Sequence, residues 1–140
     1  MNILLAIDGS PYTKKMLAYL AAHEEMLGTS HNYTAITVQP QLPPRARAAL
    51  GKEMVDKYHA EESEKVLGPV VKFMARHGVQ LKTLTKVGPA GDTIAKAADA
   101  GKYDLVVMGT HGHGSLGKLV MGSVSTQVLA HCGVPVLLVR

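Results

Sequence analysis

Three short runs in this 140-residue chain are apolar at successive positions rather than alternate ones. They are Ile3-Leu4-Leu5-Ala6-Ile7, Leu105-Val106-Val107-Met108 and the run from Val136 to Val139. A strand without polar alternation must be covered on both faces, which calls for a parallel sheet between layers of helix. The segments between the runs have helical spacing. Ser10-Pro11 reads as an N-cap followed by proline at the first helical position. Tyr12, Met16, Leu20 and Leu27 then share a face, with Gly28 as the stop. Tyr33 to Val38 is a β-branched strand ended by Pro40, and Gln39 to Pro44 is a proline-broken loop.

A long helix is expected from Arg47 to His77, with Met54, Tyr58, Leu67, Val70, Val71 and Met74 as its apolar face, a kink at Gly68-Pro69 and Gly78 as its C-cap. Val79 to Val87 is the third strand. Gly88-Pro89 opens a helix carrying Ile94, Ala97 and Ala98 and stopped by Gly101. Leu105 to Met108 is the fourth strand, Gly109 to Gly122 a glycine-rich loop, Ser123 to Cys132 the last helix, and Val136 to Arg140 the final strand. The alternation predicts one α/β domain over residues 1–140: a doubly wound, Rossmann-like sandwich with a five-stranded, mostly parallel sheet and helices on both faces.

Composition narrows the partners. No apolar stretch approaches the ~20 residues that span a bilayer, and no export signal is visible, so no membrane role is expected. The single cysteine, Cys132, cannot form an internal disulfide and suits a reducing cytoplasm. It is expected to be a buried, inert thiol in an apolar setting. The net charge is +4, but the 15 basic residues are scattered, and one Phe, five Tyr and no Trp make a poor base-stacking platform. Nucleic acid is therefore not an expected partner.

In doubly wound sheets ligands sit beyond the carboxyl ends of the strands, where the winding reverses. That directs attention to Asp8-Gly9-Ser10, Val38-Gln39, Gly88 and the loop after Met108. Five glycines between Gly109 and Gly122 are an entropic cost that a plain connection does not need. Gly122-Ser123 stands directly before a helix, whose free N–H groups and dipole favour an anion. Two familiar phosphate motifs fail. Gly112-x-Gly114-x-x-Gly117 matches a dinucleotide fingerprint, but it follows the fourth strand and lacks the downstream acid. Gly112-x4-Gly117-Lys118 resembles a P-loop, yet Leu119 stands where a magnesium-binding hydroxyl belongs.

A third spacing, Gly109-x2-Gly112-x9-Gly122-Ser123, fits G-x2-G-x9-G-[S/T] throughout. Together with Ile3 to Ser10, Asp104 to Gly112 and Val134 to Val139, it resembles the ATP-binding branch of the universal stress protein family. That resemblance implies an adenine-nucleotide-binding α/β sandwich of the adenine nucleotide alpha hydrolase-like type, paired as a homodimer through its C-terminal strand. It implies that Asp8 and Val38 flank the adenine and that Met108 and Gly109 lie against the ribose. Gly112, Gly122, Ser123, Val124 and Ser125 then hold the phosphates, with or without Mg2+. Thr37 stands where the family often has His.

On physical grounds, N–H groups of Gly112, Gly122 and Ser123 and the hydroxyls of Ser123 and Ser125 are the expected donors, each charge-assisted bond contributing about 1.5–3 kcal/mol. Lys118 is a further candidate for the phosphates. The expected role is a cytoplasmic stress-response module with regulatory or sensory function and unidentified protein partners. Two alternatives stay open: a slow nucleotide-hydrolysing enzyme using Asp8 or a loop histidine, and an interaction module that binds no nucleotide. His111 and His113 without a third ligand do not make a metal site. A phosphoacceptor receiver domain is excluded, since Asp8 lacks an acidic neighbour and the third strand ends in Lys86-Val87-Gly88.

Overall fold

A computed structural model of the chain describes residues 1–23, 25, 28, 30–113 and 121–140. Nine elements alternate: β1 (Asn2–Ala6), α1 (Pro11–Ala22), β2 (Asn32–Gln39), α2 (Pro44–Arg76), β3 (Lys82–Val87), α3 (Ala90–Ala100), β4 (Leu105–Gly109), α4 (Ser123–His131) and β5 (Val136–Val139). The sheet is entirely parallel in the order β3-β2-β1-β4-β5. Leu5 stands opposite Ala35 on one side and Val107 on the other, which puts β1 at the centre.

The successive apolar residues of β1 divide between two cores. Ile3, Leu5 and Ile7 pack with Met16, Leu20, Leu67, Val70 and Met74 from α1 and α2. Leu4 and Ala6 pack with Ile36, Ile94, Ala98 and Val128, so α3 and α4 cover the opposite face. Leu4 and Leu5 are both fully buried, each contributing about 1.5–3 kcal/mol of apolar transfer. The doubly wound expectation thus matches the observed layers.

Several local expectations change. Helix α1 ends at His23, well before Gly28. The His23 ring donates from Nδ1 to the Tyr19 carbonyl oxygen at 2.8 Å and stacks on the Tyr19 ring at 4.2 Å. A side chain thus closes the helix in place of glycine; Leu27 lies outside the described residues. The same device ends α2, where His77 Nδ1 donates to the Phe73 carbonyl oxygen at 3.0 Å beside the Phe73 ring.

Helix α2 is interrupted at Gly51 (φ 79, ψ 163) and not at Gly68-Pro69, where the backbone stays helical. Lys65 and Pro69 are both exposed, so water can take the carbonyl that the proline leaves without a donor. The buried stripe of α2 is His59, Ser63, Leu67, Val70 and Met74. Met54, Tyr58 and Val71, expected on the core face, are exposed. Val79 belongs to the end of α2 and not to β3. Its N–H donates to the Met74 carbonyl and that of Gly78 (φ 75) to the Ala75 carbonyl, a Schellman closure that buries Val79.

Helix α3 closes the same way one residue later than expected. Lys102 (φ 53), not Gly101, takes the left-handed position. Gly101 is required for a different reason, because a Cβ there would run into the Tyr103 ring. A left-handed conformation costs an L-residue about 1–2 kcal/mol, and glycine's extra freedom when unfolded offsets part of the relief. Lys102→Gly is therefore expected to stabilise the fold by about 0.5–1 kcal/mol, read as a higher urea midpoint at unchanged slope.

Candidate functional site

The chain leaves the carboxyl end of β1 for α1 on one face and the end of β4 for α4 on the other. Between these neighbouring strands opens a cavity of about 430 Å³. This is the position where the winding reverses. Ala6, Ile7, Val38, Pro40, Ile94 and Met108 give it an apolar side; Asp8, Thr110 and Ser123 mark the polar end. All the sequence-selected residues line it: Asp8, Val38, Met108, Gly109, Gly112, Gly122, Ser123, Val124 and Ser125. Tyr12, Thr13, Ile94 and Thr110 line it too and were not selected. The position of Tyr12 and Thr13 in the helix turn after β1 is a usable signal, whereas Ile94 reads in sequence only as core.

Asp8 holds the turn after β1. Its Oδ1 accepts from the Ser10 N–H at 2.9 Å and from the Thr13 hydroxyl at 3.2 Å, while its own N–H donates to Thr13 Oγ1 at 3.3 Å. Gly9 turns the chain with φ 77. Ser10 occupies the N-cap position of α1 but makes no side-chain cap bond. Its buried hydroxyl has no partner among the described residues. The carboxylate of Asp8 fixes the approach to α1 through the Ser10 N–H and the Thr13 hydroxyl.

The far side is organised by Thr110. Its N–H donates to the Val139 carbonyl at 2.9 Å, and its carbonyl accepts from the Gly122 N–H at 2.7 Å and the Ser125 hydroxyl at 2.8 Å. Ser125 also donates to the Gly122 carbonyl at 3.0 Å, as does the Thr126 hydroxyl at 2.9 Å. These bonds tie the two ends of the loop together. They also correct the donor set read from sequence, because the Gly122 N–H and the Ser125 hydroxyl are already engaged. What α4 offers the cavity is the first-turn N–H groups of Ser123, Val124 and Ser125, which have no intrahelical acceptor, and the exposed Ser123 hydroxyl.

The glycines serve close approach within the protein. A Cβ at Gly109 would lie 2.6 Å from Tyr12 Cβ, and one at Gly112 would collide with Asp8 Oδ2. The histidines point to different partners. His113 donates from Nε2 to the Asp8 carbonyl at 2.7 Å, and His111 Nδ1 lies 2.8 Å from Thr110 Oγ1 with its ring 4.9 Å from that of Tyr12. Among the described residues no group of three His, Cys, Asp or Glu could hold a metal. Gly114, Gly117 and Lys118 lie outside the described residues. Cys132 caps α4 and is half-buried rather than buried, its Sγ 3.7 Å from the Val134 carbonyl oxygen.

The universal stress protein family model matches residues 1–140. The chain belongs to the universal stress protein family. A Thermus aquaticus relative, the universal stress protein in the QAH/OAS sulfhydrylase 3' region, is 35% identical over 140 residues, covering 99% of this chain and 98% of its own. The solved structure of MJ0577, a universal stress protein of Methanocaldococcus jannaschii, has a TM-score of 0.83 at 25% identity and covers 99% of this chain and 94% of its own. A universal stress protein family member from Arabidopsis thaliana, solved with AMP bound, has a TM-score of 0.71 at 16% identity, covering 99% and 90%.

In this universal stress protein the Thr110 closure should set the order of the cavity rim. Ser125→Ala removes the hydroxyl donor shared by the Thr110 and Gly122 carbonyls, which keep their other donors, and such a bond contributes about 0.5–1.5 kcal/mol. Thermal melting should fall accordingly, and amide exchange at Gly122 should accelerate more than at Leu5.

Proposed function

We propose that the chain binds adenine nucleotides, ATP among them, in the cavity between β1 and β4 and acts as a regulatory stress-response module. The observation that carries this reading is the shape of the site: an apolar slot between Val38, Ile94 and Met108 that runs onto the N-terminal turn of α4. A flat, mostly apolar base suits the slot, and a phosphate suits the helix end. Relatives solved with AMP, cAMP and dAMP support the ligand class. Asp8 and Val38 then flank the base, Met108 and Gly109 the ribose, and Gly112 with Ser123, Val124 and Ser125 the phosphates. A magnesium ion would arrive on the phosphates, since the described residues offer no separate cluster for it.

Asp8 Oδ1 is bonded to Ser10 and Thr13 and His113 Nε2 to the Asp8 carbonyl, contacts that hold the turn after β1 in place. A few charge-assisted bonds and a buried base, less the cost of ordering, correspond to micromolar affinity, about −8 kcal/mol. Titration calorimetry with ATP should show that affinity. Gly112→Val, which drives a side chain into the Asp8 carboxylate, should weaken it at least tenfold while circular dichroism stays unchanged. Undiminished affinity in that folded variant would remove the site assignment.

The two sheet edges support a homodimer. Edge strand β3 carries Lys82 and Lys86, a charge pattern that discourages strand pairing, whereas β5 is Val136-Leu137-Leu138-Val139 with no charge. Pairing of β5 with a second copy satisfies that edge. Sedimentation equilibrium should give twice the chain mass; a monomer at high concentration contradicts the pairing. A cytoplasmic setting is part of the same reading, and among the described residues no helix is long and apolar enough to cross a membrane.

A further inference from the structure

The described lining of the cavity carries little positive charge for a polyphosphate. Among the described lining residues there is no lysine or arginine, and the one carboxylate is Asp8, whose Oδ2 lies against the Gly112 backbone at the polar end. The N-terminal turn of α4 supplies partial positive charge worth about half an elementary unit, and the Gly122 N–H is spent on Thr110. That suffices for a monophosphate. Each added phosphate brings further negative charge towards Asp8, so a triphosphate gains from a cation beside the described wall.

One cation stands beside that wall, against a residue that lines it. Tyr12 lines the cavity, its Cβ packed against Gly109 and its ring tilted against His111. The Lys15 ammonium sits over that same ring, 4.6 Å from its centroid. Lys15 is exposed and makes no salt bridge among the described residues. Its charge is therefore free to be used, and the aromatic ring keeps the flexible stem at the rim. A cation–π contact at an exposed position is weaker than a charge-assisted bond to phosphate. Transfer of the ammonium from the Tyr12 ring to a phosphate oxygen is then downhill.

We propose that Lys15, parked on Tyr12, is the residue that reads the length of the nucleotide's phosphate chain, favouring the triphosphate over the monophosphate. This rests on the nucleotide-binding reading above and adds a specificity determinant to it. A monophosphate seated on α4 gains little from the ammonium, while the outer phosphates of ATP gain a compact, mobile point charge.

The test is titration calorimetry of the full chain with ATP and with AMP, for the unaltered protein, Lys15→Met and Lys15→Arg, at low and at raised sodium chloride. Methionine keeps the stem's packing on Tyr12 without the charge. The expected result is that Lys15→Met loses about tenfold in ATP affinity, or about 1.4 kcal/mol, and less than twofold for AMP. Lys15→Arg should keep the ATP preference, and salt should narrow the gap between the unaltered protein and Lys15→Met. An equal loss for both nucleotides, or no loss for ATP, overturns the assignment while nucleotide binding itself stands. Binding of neither nucleotide by the unaltered protein overturns both.

Discussion

Leu4 and Leu5 are adjacent in the chain and fully buried in different cores. Everything else hangs on that arrangement. Because β1 is paired along both edges and covered on both faces, its carboxyl end emerges at the centre of the sheet with no freedom to shift. The turn that follows can then be held by a few weak bonds from Asp8, because the strand beneath it is already fixed. Burial of this one strand converts a generic layered fold into a defined crevice.

The crevice is made by divergence. Chain leaving β1 goes to one layer and chain leaving β4 goes to the other, so the space between them is left unfilled by either helix. Thr110 sets the far wall by bonding in two directions, its N–H to β5 and its carbonyl to the residues around the start of α4. The first turn of α4 is thereby oriented by the protein alone. A ligand arriving there does not have to organise it, which lowers the ordering cost of binding.

The layered architecture was legible because the runs Ile3 to Ile7 and Leu105 to Met108 are apolar at every position, a pattern that few folds other than a covered parallel sheet can use. The site's place was legible from topology and from Gly122-Ser123 standing before a helix. Other features were hidden for physical reasons. The core face of α2 includes His59 and Ser63, so apolar spacing pointed to Met54 and Tyr58, which are exposed. Val79 looks like strand but is consumed in closing the helix before it. Lys102, not the glycine beside it, takes the left-handed turn, and Gly101 instead makes room for the Tyr103 ring. The donors at Gly122 and Ser125 looked free because nothing in a linear sequence shows the chain folding back onto Thr110. Ile94 carries a side chain whose ordinary use is packing, so its place on the cavity wall was not visible either.

The unlike borders of the sheet have a consequence for assembly. Growth of a β-structure into a fibre requires adhesive surfaces at both ends of each unit, so that every addition exposes a new one. Here Lys82 and Lys86 stand on one border, a pattern that discourages strand pairing, while the strand at the opposite border carries no charge. The two-fold pairing proposed across that strand would use up the adhesive surface of both molecules at once. In the proposed pair, the chemistry that permits association would also terminate it.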